Sequence, residues 1–322
     1  MTQSWCCAIN SEGRITACDV KDAPPPANGF VWCHVDGRVE EQRQWLERES
    51  GLPLAAVLAL TAIETRPRSD QMGDGALVNL RGMGATPEDD DDPLVSIRLW
   101  AERNRVISVS LRTLAASAAV RAKMEGGAIK DPGDLISAFA TTISRDLDPR
   151  VAALGDLIDA CETDLHPDKA FTMRRTIARV RSEAIGYRRF VVPQRQALDK
   201  LVVLDADWLE ADDRLHLRDA ADRFARMAEE LEAVRERSAL LHEQLTDLRA
   251  EQIESRTLLL AIVALIFLPL TFITGLFGMN FDLIPFQHDP WGFTGIVLVC
   301  LALAVGITLY FAKAHWFGRQ DG

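Results

Sequence analysis

Four side chains that could attract or bind metal cations lie close together near the C-terminal end of the chain: Asn280, Asp282, His288 and Asp289. Carboxylates raise the local concentration of cations, and an imidazole suits zinc better than magnesium. An amide offers a carbonyl oxygen without a fixed charge. Two of these residues also have a plainer interpretation, because Asn often ends a helix and a lone loop histidine is usually only solvated.

Two long apolar runs flank these residues. Residues 257–281 and 290–312 contain no charged side chain, and about 20 helical residues cross a hydrocarbon core of ~30 Å. Both runs therefore predict transmembrane helices. The segment between them carries two acids and no Lys or Arg, whereas Arg256, Lys313 and Arg319 lie on the other sides. Since positive charge stays in the cytoplasm, both termini are predicted inside and the loop outside.

A third feature is a heptad seam that leads into the first apolar run. Its apolar positions alternate spacings of three and four residues over five heptads, with no Pro or Gly before residue 257. The pattern predicts one helix from Asp212 to about Gly278, on the order of 100 Å long. Such a helix has to bury its seam against neighbours, which favours a symmetric oligomer. The seam positions are Leu217, Ala220, Phe224, Met227, Leu231, Val234, Ser238, Leu241, Leu245, Leu248 and Gln252.

The N-terminal third has the alternating pattern of strands with two short helices between them. Six strands are predicted, and the last two form a hairpin around Glu102–Asn104. The net charge of −11 argues against nucleic acid as a partner and suits a cation. The six cysteines contain no CxxC pair and are predicted to be free thiols in a reducing cytoplasm. The strands are predicted at residues 5–8, 14–18, 30–35, 76–81, 94–100 and 106–111, and the helices at 40–49 and 54–63.

The end of the first apolar run resembles a known family. Gly278-Met279-Asn280, at the outer end of the first of two C-terminal spans, is similar to the signature of the CorA superfamily of divalent-cation channels. The segments 267–272 and 64–68, together with Ile284-Pro285, resemble its zinc-transporting ZntB branch. In contrast, Phe281-Asp282-Leu283 is closer to the magnesium branch.

The resemblance implies an α+β membrane protein that assembles as a homopentameric funnel in the bacterial inner membrane. Its expected parts are a cytoplasmic α/β domain at 1–130, a cytoplasmic helical stalk at 131–256, and a first transmembrane helix at 257–280. A periplasmic loop at 281–289, a second transmembrane helix at 290–312 and a cytoplasmic tail at 313–322 follow. The expected partners are further copies of the chain, divalent cations and the lipid bilayer.

In that arrangement the first spans line the pore and five Asn280 amides recognise a hydrated cation through its water shell. Asp282, His288 and Asp289 form outer rings that attract cations. Counting inward from Asn280 at helical spacing gives the face predicted to line the pore: Thr257, Leu260, Ala264, Leu268, Thr271 and Gly275. The threonines would form polar rings and the leucines hydrophobic constrictions. Alternatively, Thr271 and Thr274 only bond back to carbonyls of the helix backbone.

The function predicted is transport of a divalent cation, zinc first, with magnesium, cobalt or nickel as alternatives and no cofactor. A magnesium or cobalt channel is the nearest alternative. A membrane-anchored coiled-coil sensor or scaffold is an alternative of another class, but it has no need for the Asn280 ring. An enzyme is not expected, because the sequence has no P-loop, HExxH or GxSxG motif.

Overall fold

A computed structural model describes residues 4–18, 29–63, 66–86, 93–166, 169–279 and 291–317. The chain divides into two compact units. The first comprises residues 1–165 and 171–242, and the second comprises residues 166–170 and 243–322.

The first unit is built on a seven-stranded sheet with the order β2-β1-β3-β7-β6-β5-β4. Only the central β3–β7 pair is parallel, and every other neighbouring pair is antiparallel. The six predicted strands are all present, and the predicted hairpin joins β6 to β7 with Glu102 opposite Arg105. The strands are β1 Trp5–Asn10, β2 Ile15–Cys18, β3 Gly29–Asp36, β4 Arg68–Met72, β5 Gly75–Met83, β6 Leu94–Glu102 and β7 Arg105–Ser110.

Helices cover both faces of this sheet. On one face, Leu46 of α1 (Glu40–Arg48) and Leu60 of α2 (Leu54–Thr61) pack in a core with side chains of β1, β3, β5, β6 and β7. On the other face, α3 (Ala116–Glu125) packs against α4 (Pro132–Thr163), and α4 against β5. Phe139 of α4 meets Trp32 edge to face, with ring centroids 5.8 Å apart. Because helices cover both faces, the central strands β3 and β7 are largely buried on both sides. Their buried residues nevertheless include the polar side chains of His34, Ser108 and Ser110.

Two long helices, α5 (Ala170–Val202) and α6 (Ala211–Phe277), follow. The seam residues of α6 from Leu217 to Leu245 are all buried, with 0–2% exposed. Another helix of the same chain contacts this part of α6: Arg237 pairs with Asp159 and Glu162 of α4. This stretch of the seam is thus covered within one chain, so its burial does not depend on the symmetric oligomer that the pattern was taken to favour. Its last two positions, Leu248 and Gln252, are half-buried.

The second unit contains the end of α6 and all of α7 (Gly292–Phe317). Each helix includes a stretch long and apolar enough to cross a membrane, and neither stretch is buried within the chain. α6 remains one continuous helix through Pro269, although a proline supplies no amide donor to the turn before it.

The prediction of six free thiols was wrong for two of them. Cys6 and Cys33 are joined by a disulfide, and they stand directly opposite each other where β1 pairs with β3. Sequence spacing could not show this, because the register of two strands that are not consecutive in the chain is set by their pairing in the sheet. In the part of the chain that the structure describes, the other four cysteines form no disulfide.

Candidate cation pathway

The six residues predicted to line the pore all lie on the last part of α6. Their spacing of three or four residues places them on one face, since α6 is helical from Ala211 to Phe277. All six are exposed in the single chain, including Leu260 at 67% and Leu268 at 72%. Phe267 and Phe272 on other faces are exposed to a similar degree. The faces therefore differ in side-chain type and not in exposure. Four of the six residues on the predicted pore face are small or carry a hydroxyl, whereas Phe267 and Phe272 are large and apolar.

The threonines of this face bond to the helix backbone. Thr257 Oγ1 donates to the carbonyl of Ile253 at 2.8 Å, and Thr271 Oγ1 donates to the carbonyl of Phe267 at 2.8 Å. The alternative weighed for Thr271 is therefore present in the structure. It does not remove the polar surface, because a hydroxyl that donates its proton still offers oxygen lone pairs as acceptors. These oxygens can accept hydrogen bonds from the water shell of a cation.

Gly278 ends the first span. Its amide donates to the carbonyl of Thr274 at 2.9 Å, which closes the last turn of α6. A Cβ at this position would lie 3.0 Å from the same carbonyl oxygen, tighter than most Cβ contacts. Gly278 therefore lets the chain leave the helix without displacing its last turn, whereas Gly275 faces open space.

Of the five predicted site residues that follow Gly278, the structure describes one. Met279 is described and 48% exposed. Asn280, Asp282, His288 and Asp289 lie outside the described residues, so their roles remain predictions from the sequence.

Sequence reasoning missed a group of three carboxylates in the first unit. Asp131 and Asp134 at the start of α4 and Asp213 at the start of α6 bring one oxygen each within 4.8 Å of one another. Oxygen donors of this kind suit hard divalent cations. However, one oxygen of each accepts a backbone amide, from Asp134, Lys130 and Glu210 respectively. Capping of the two helices thus accounts for these contacts without an ion.

Asp213 has an unusual acidity. Asp213 is buried, with only 2% of its surface exposed. Burial, followed by repulsion from Asp131, raises the pKa of Asp213 to about 7 from an ordinary value of 3.8. Only tertiary packing could reveal this, because the two helix starts are far apart in sequence.

Known proteins resemble this chain along its whole length. Residues 27–313 match the family described as CorA-like Mg2+ transporter protein. The chain is 29% identical over 312 residues to the zinc transport protein ZntB of Pectobacterium atrosepticum, covering 96% of this chain and 94% of that one. It is 28% identical over 316 residues to ZntB of Yersinia pseudotuberculosis, again covering 96% and 94%.

Solved structures share the fold. The full-length CmaX protein superposes with a TM-score of 0.78 at 29% identity, covering 97% of both chains. The CorA magnesium transporter from Methanocaldococcus jannaschii superposes with a TM-score of 0.79 at 16% identity, covering 100% of this chain and 99% of that one. These similarities confirm the predicted fold class apart from its oligomeric state. Because the family match spans most of the sequence, the chain belongs to the family of CorA-like Mg2+ transporter proteins, which transport divalent cations and are not enzymes.

Proposed function

We propose that this chain transports divalent cations across the bacterial inner membrane, with zinc preferred, as a homopentamer whose first spans line the pore. The preference for zinc is supported by the relatives named zinc transport protein ZntB, which match over 96% of the chain. The pentamer and the pore are the arrangement implied by the resemblance of the Gly278-Met279-Asn280 segment.

One structural observation carries this proposal. Between residues 257 and 277 of α6, and between 292 and 311 of α7, no side chain is buried within the chain. Apolar surface of that extent is stable only against lipid or against other copies of the chain. One face of α6 carries small and hydroxyl side chains, which allow close helix packing or line a wet pore. This exposed surface supports the proposal that the bilayer and further copies of the chain are its partners.

The proposed mechanism begins at the outer mouth. A hydrated divalent cation loses water reluctantly, so five Asn280 amides would recognise it through hydrogen bonds from its water shell. Amides suit conduction better than carboxylates, because a ring of fixed charges would hold the ion too tightly. Further in, Thr257 and Thr271 provide polar rings, while Leu260 and Leu268 provide constrictions that close by excluding water.

The outer loop is proposed to collect and select ions. Asp282 and Asp289, repeated five times, would raise the cation concentration before the mouth. His288 would favour zinc over magnesium, since imidazole is a ligand for transition metals. No cofactor is required, because the ion itself is the cargo.

Magnesium is the second candidate for the cargo, with cobalt and nickel as further possibilities. The family description names Mg2+, and the segment Phe281-Asp282-Leu283 resembles the magnesium branch. The proposed topology is the same for either ion. It places the cytoplasmic α/β domain at 1–130, the stalk at 131–256 and the tail at 313–322 inside, with the loop at 281–289 outside.

Uptake by the purified chain in liposomes tests the proposal. Zinc, nickel, cobalt and magnesium should be offered singly and in competition, with and without a pH gradient. Zinc should enter fastest, and protein-free liposomes are the control. Magnesium entering faster would replace zinc by the second candidate, and no uptake of any ion would favour the scaffold alternative. Native mass spectrometry should show five copies, and a dominant monomer or dimer in mild detergent would contradict the pore.

A further inference from the structure

Three cysteines share one row across the edge of the sheet in the first unit. Cys6 on β1 stands opposite Cys18 on β2 and opposite Cys33 on β3. Residues directly opposite on paired strands point to the same face, so their three sulfur atoms lie side by side, with that of Cys6 in the middle. Cys7 points to the other face, because side chains alternate along a strand.

The sulfur atoms in this row are arranged for exchange. Cys6 and Cys33 form a disulfide, and the Cys18 thiol is directed at the Cys6 sulfur with the two atoms 3.3 Å apart. A thiolate breaks a disulfide by attacking one of its sulfur atoms, which forms a new disulfide and releases the other sulfur. Because β1 lies between β2 and β3 in the sheet, Cys18 approaches Cys6 from the strand on the other side of β1 from Cys33.

Accessibility differs sharply along the row. Cys6 and Cys33 are 5% and 3% exposed, whereas Cys18 is half-buried on β2, the outermost strand. A dissolved reagent can therefore reach Cys18 but cannot reach the disulfide behind it.

We propose that Cys18 is the site at which a low-molecular-weight thiol or its disulfide reacts with this protein, and that Cys18 passes the exchange on to Cys6 and Cys33. This inference does not depend on ion transport. The first unit is proposed to lie in the cytoplasm. Disulfides in that compartment are usually transient and redox-sensing.

Each step of the oxidation balances. The Cys18 thiolate attacks a small disulfide, forms a mixed disulfide and releases one small thiol. Cys6 then attacks the Cys18 sulfur, forms the Cys6–Cys18 disulfide and releases the second small thiol. Cys33 attacks Cys6 in turn, and the proton that Cys33 loses returns to Cys18. In total, two protein thiols lose two electrons to one small disulfide, and reduction follows the same steps backwards.

Disulfide mapping tests which sulfur atoms pair. The full chain in detergent is fully reduced, exposed to glutathione disulfide, blocked with N-ethylmaleimide at low pH and digested with trypsin. Cleavage after Arg14, Lys21 and Arg38 puts Cys6, Cys18 and Cys33 on three separate peptides, 1–14, 15–21 and 22–38. A Cys7→Ser background removes the second cysteine of the first peptide. We expect the 1–14 to 22–38 link in the parent and the 1–14 to 15–21 link in Cys33→Ser. Absence of the second link would overturn the proposal.

The rate of reduction tests the relay itself. With glutathione as reductant, Cys18→Ser should slow reduction of the Cys6–Cys33 disulfide at least about tenfold, because a buried disulfide is poorly accessible to a dissolved thiol. Cys18→Ala should behave like Cys18→Ser, which separates loss of the thiol from any effect on folding. Equal rates with and without Cys18 would overturn the relay.

Cys7→Ser is the matched control for the kinetic experiment. Cys7 follows Cys6 directly, yet it faces the opposite side, where its sulfur contacts the Trp32 carbonyl and the Met124 sulfur. Burial, followed by repulsion from Cys18, raises the pKa of Cys7 to about 12, so it supplies almost no thiolate near neutral pH. Its replacement should leave the reduction rate unchanged. A slowing in Cys7→Ser equal to that in Cys18→Ser would also overturn the assignment.

Discussion

The apolar side chains of α6 are buried in the first unit and exposed in the second. In the first unit, Phe224 and Leu231 are 0% exposed, because helices of the same chain cover them. In the second, Leu260 and Leu268 of the same helix are 67% and 72% exposed. The seam of the first part is a narrow apolar stripe, whereas the second part is apolar on every face, as in a membrane-spanning helix. The comparison shows that one chain covers the apolar surface of the first part, whereas it leaves the apolar surface of the second part exposed.

The largest effect is expected where the second unit recognises ions. Asn280→Ala should abolish uptake in liposomes while the oligomer stays intact, because alanine offers no polar group to a hydrated cation. Phe272→Leu, on another face of the same helix, is the control and should retain uptake. Uptake is measured beside a size-exclusion profile. Normal uptake in Asn280→Ala would show that this residue is only a helix cap.

A pair of substitutions in α6 tests the comparison directly. Phe224→Ala should destabilise the first unit by about 3–5 kcal/mol, because it leaves a cavity in a packed core. Leu268→Ala should leave that unit's stability unchanged and should increase ion leak, because it widens a hydrophobic constriction. Five of the seven tryptophans belong to the first unit, so tryptophan fluorescence during unfolding reports on it. Similar losses of stability from both changes would refute the contrast.

A smaller effect on stability is expected from pH, and it arises in the first unit. The pKa of Asp213 rises from 3.8 to about 7 on folding, so the protonated carboxyl contributes stability that is full below about pH 4. This contribution is lost as the pH rises through about 7. Stability should therefore fall by ~2–3 kcal/mol between pH 5 and pH 8 on account of this group.

Asp213→Asn should flatten that pH dependence and stabilise the unit at pH 8, because asparagine can still accept the bond from the Glu210 amide. Asp212→Asn is the matched control, since the Asp212 side chain is 78% exposed and its neutralisation should leave the pH profile as it was. The measurement is the midpoint of thermal unfolding across the pH range. An unchanged profile in Asp213→Asn would assign the dependence to other groups.

The smallest effect concerns ion choice in the outer loop. His288→Ala should lower zinc uptake a few-fold more than magnesium uptake, because imidazole is a ligand for transition metals. Asp282→Asn is the comparison variant, because its effect is Coulombic and should weaken both ions alike, most visibly at low salt. Competitive uptake gives the ratio. If His288→Ala leaves the zinc-to-magnesium ratio unchanged, selectivity lies deeper in the pore.

The features that the sequence predicted correctly are local ones. Two spans follow from length and the absence of charge, and the hairpin between β6 and β7 follows from alternation on either side of a short turn. β4 (Arg68–Met72) was missed because its residues are largely polar and show no apolar alternation. α3 (Ala116–Glu125) was missed because it is short and rich in alanine, without a strong apolar stripe.

Other features depend on which distant segments meet, and local periodicity carries no information about that. The row of Cys18, Cys6 and Cys33 exists because strand pairing fixes the register of three separate strands. The raised pKa of Asp213 exists because the starts of α4 and α6 come together in a buried place. The periodic pattern of α6 determined that its seam would be buried, and only the tertiary structure decided that the same chain buries it.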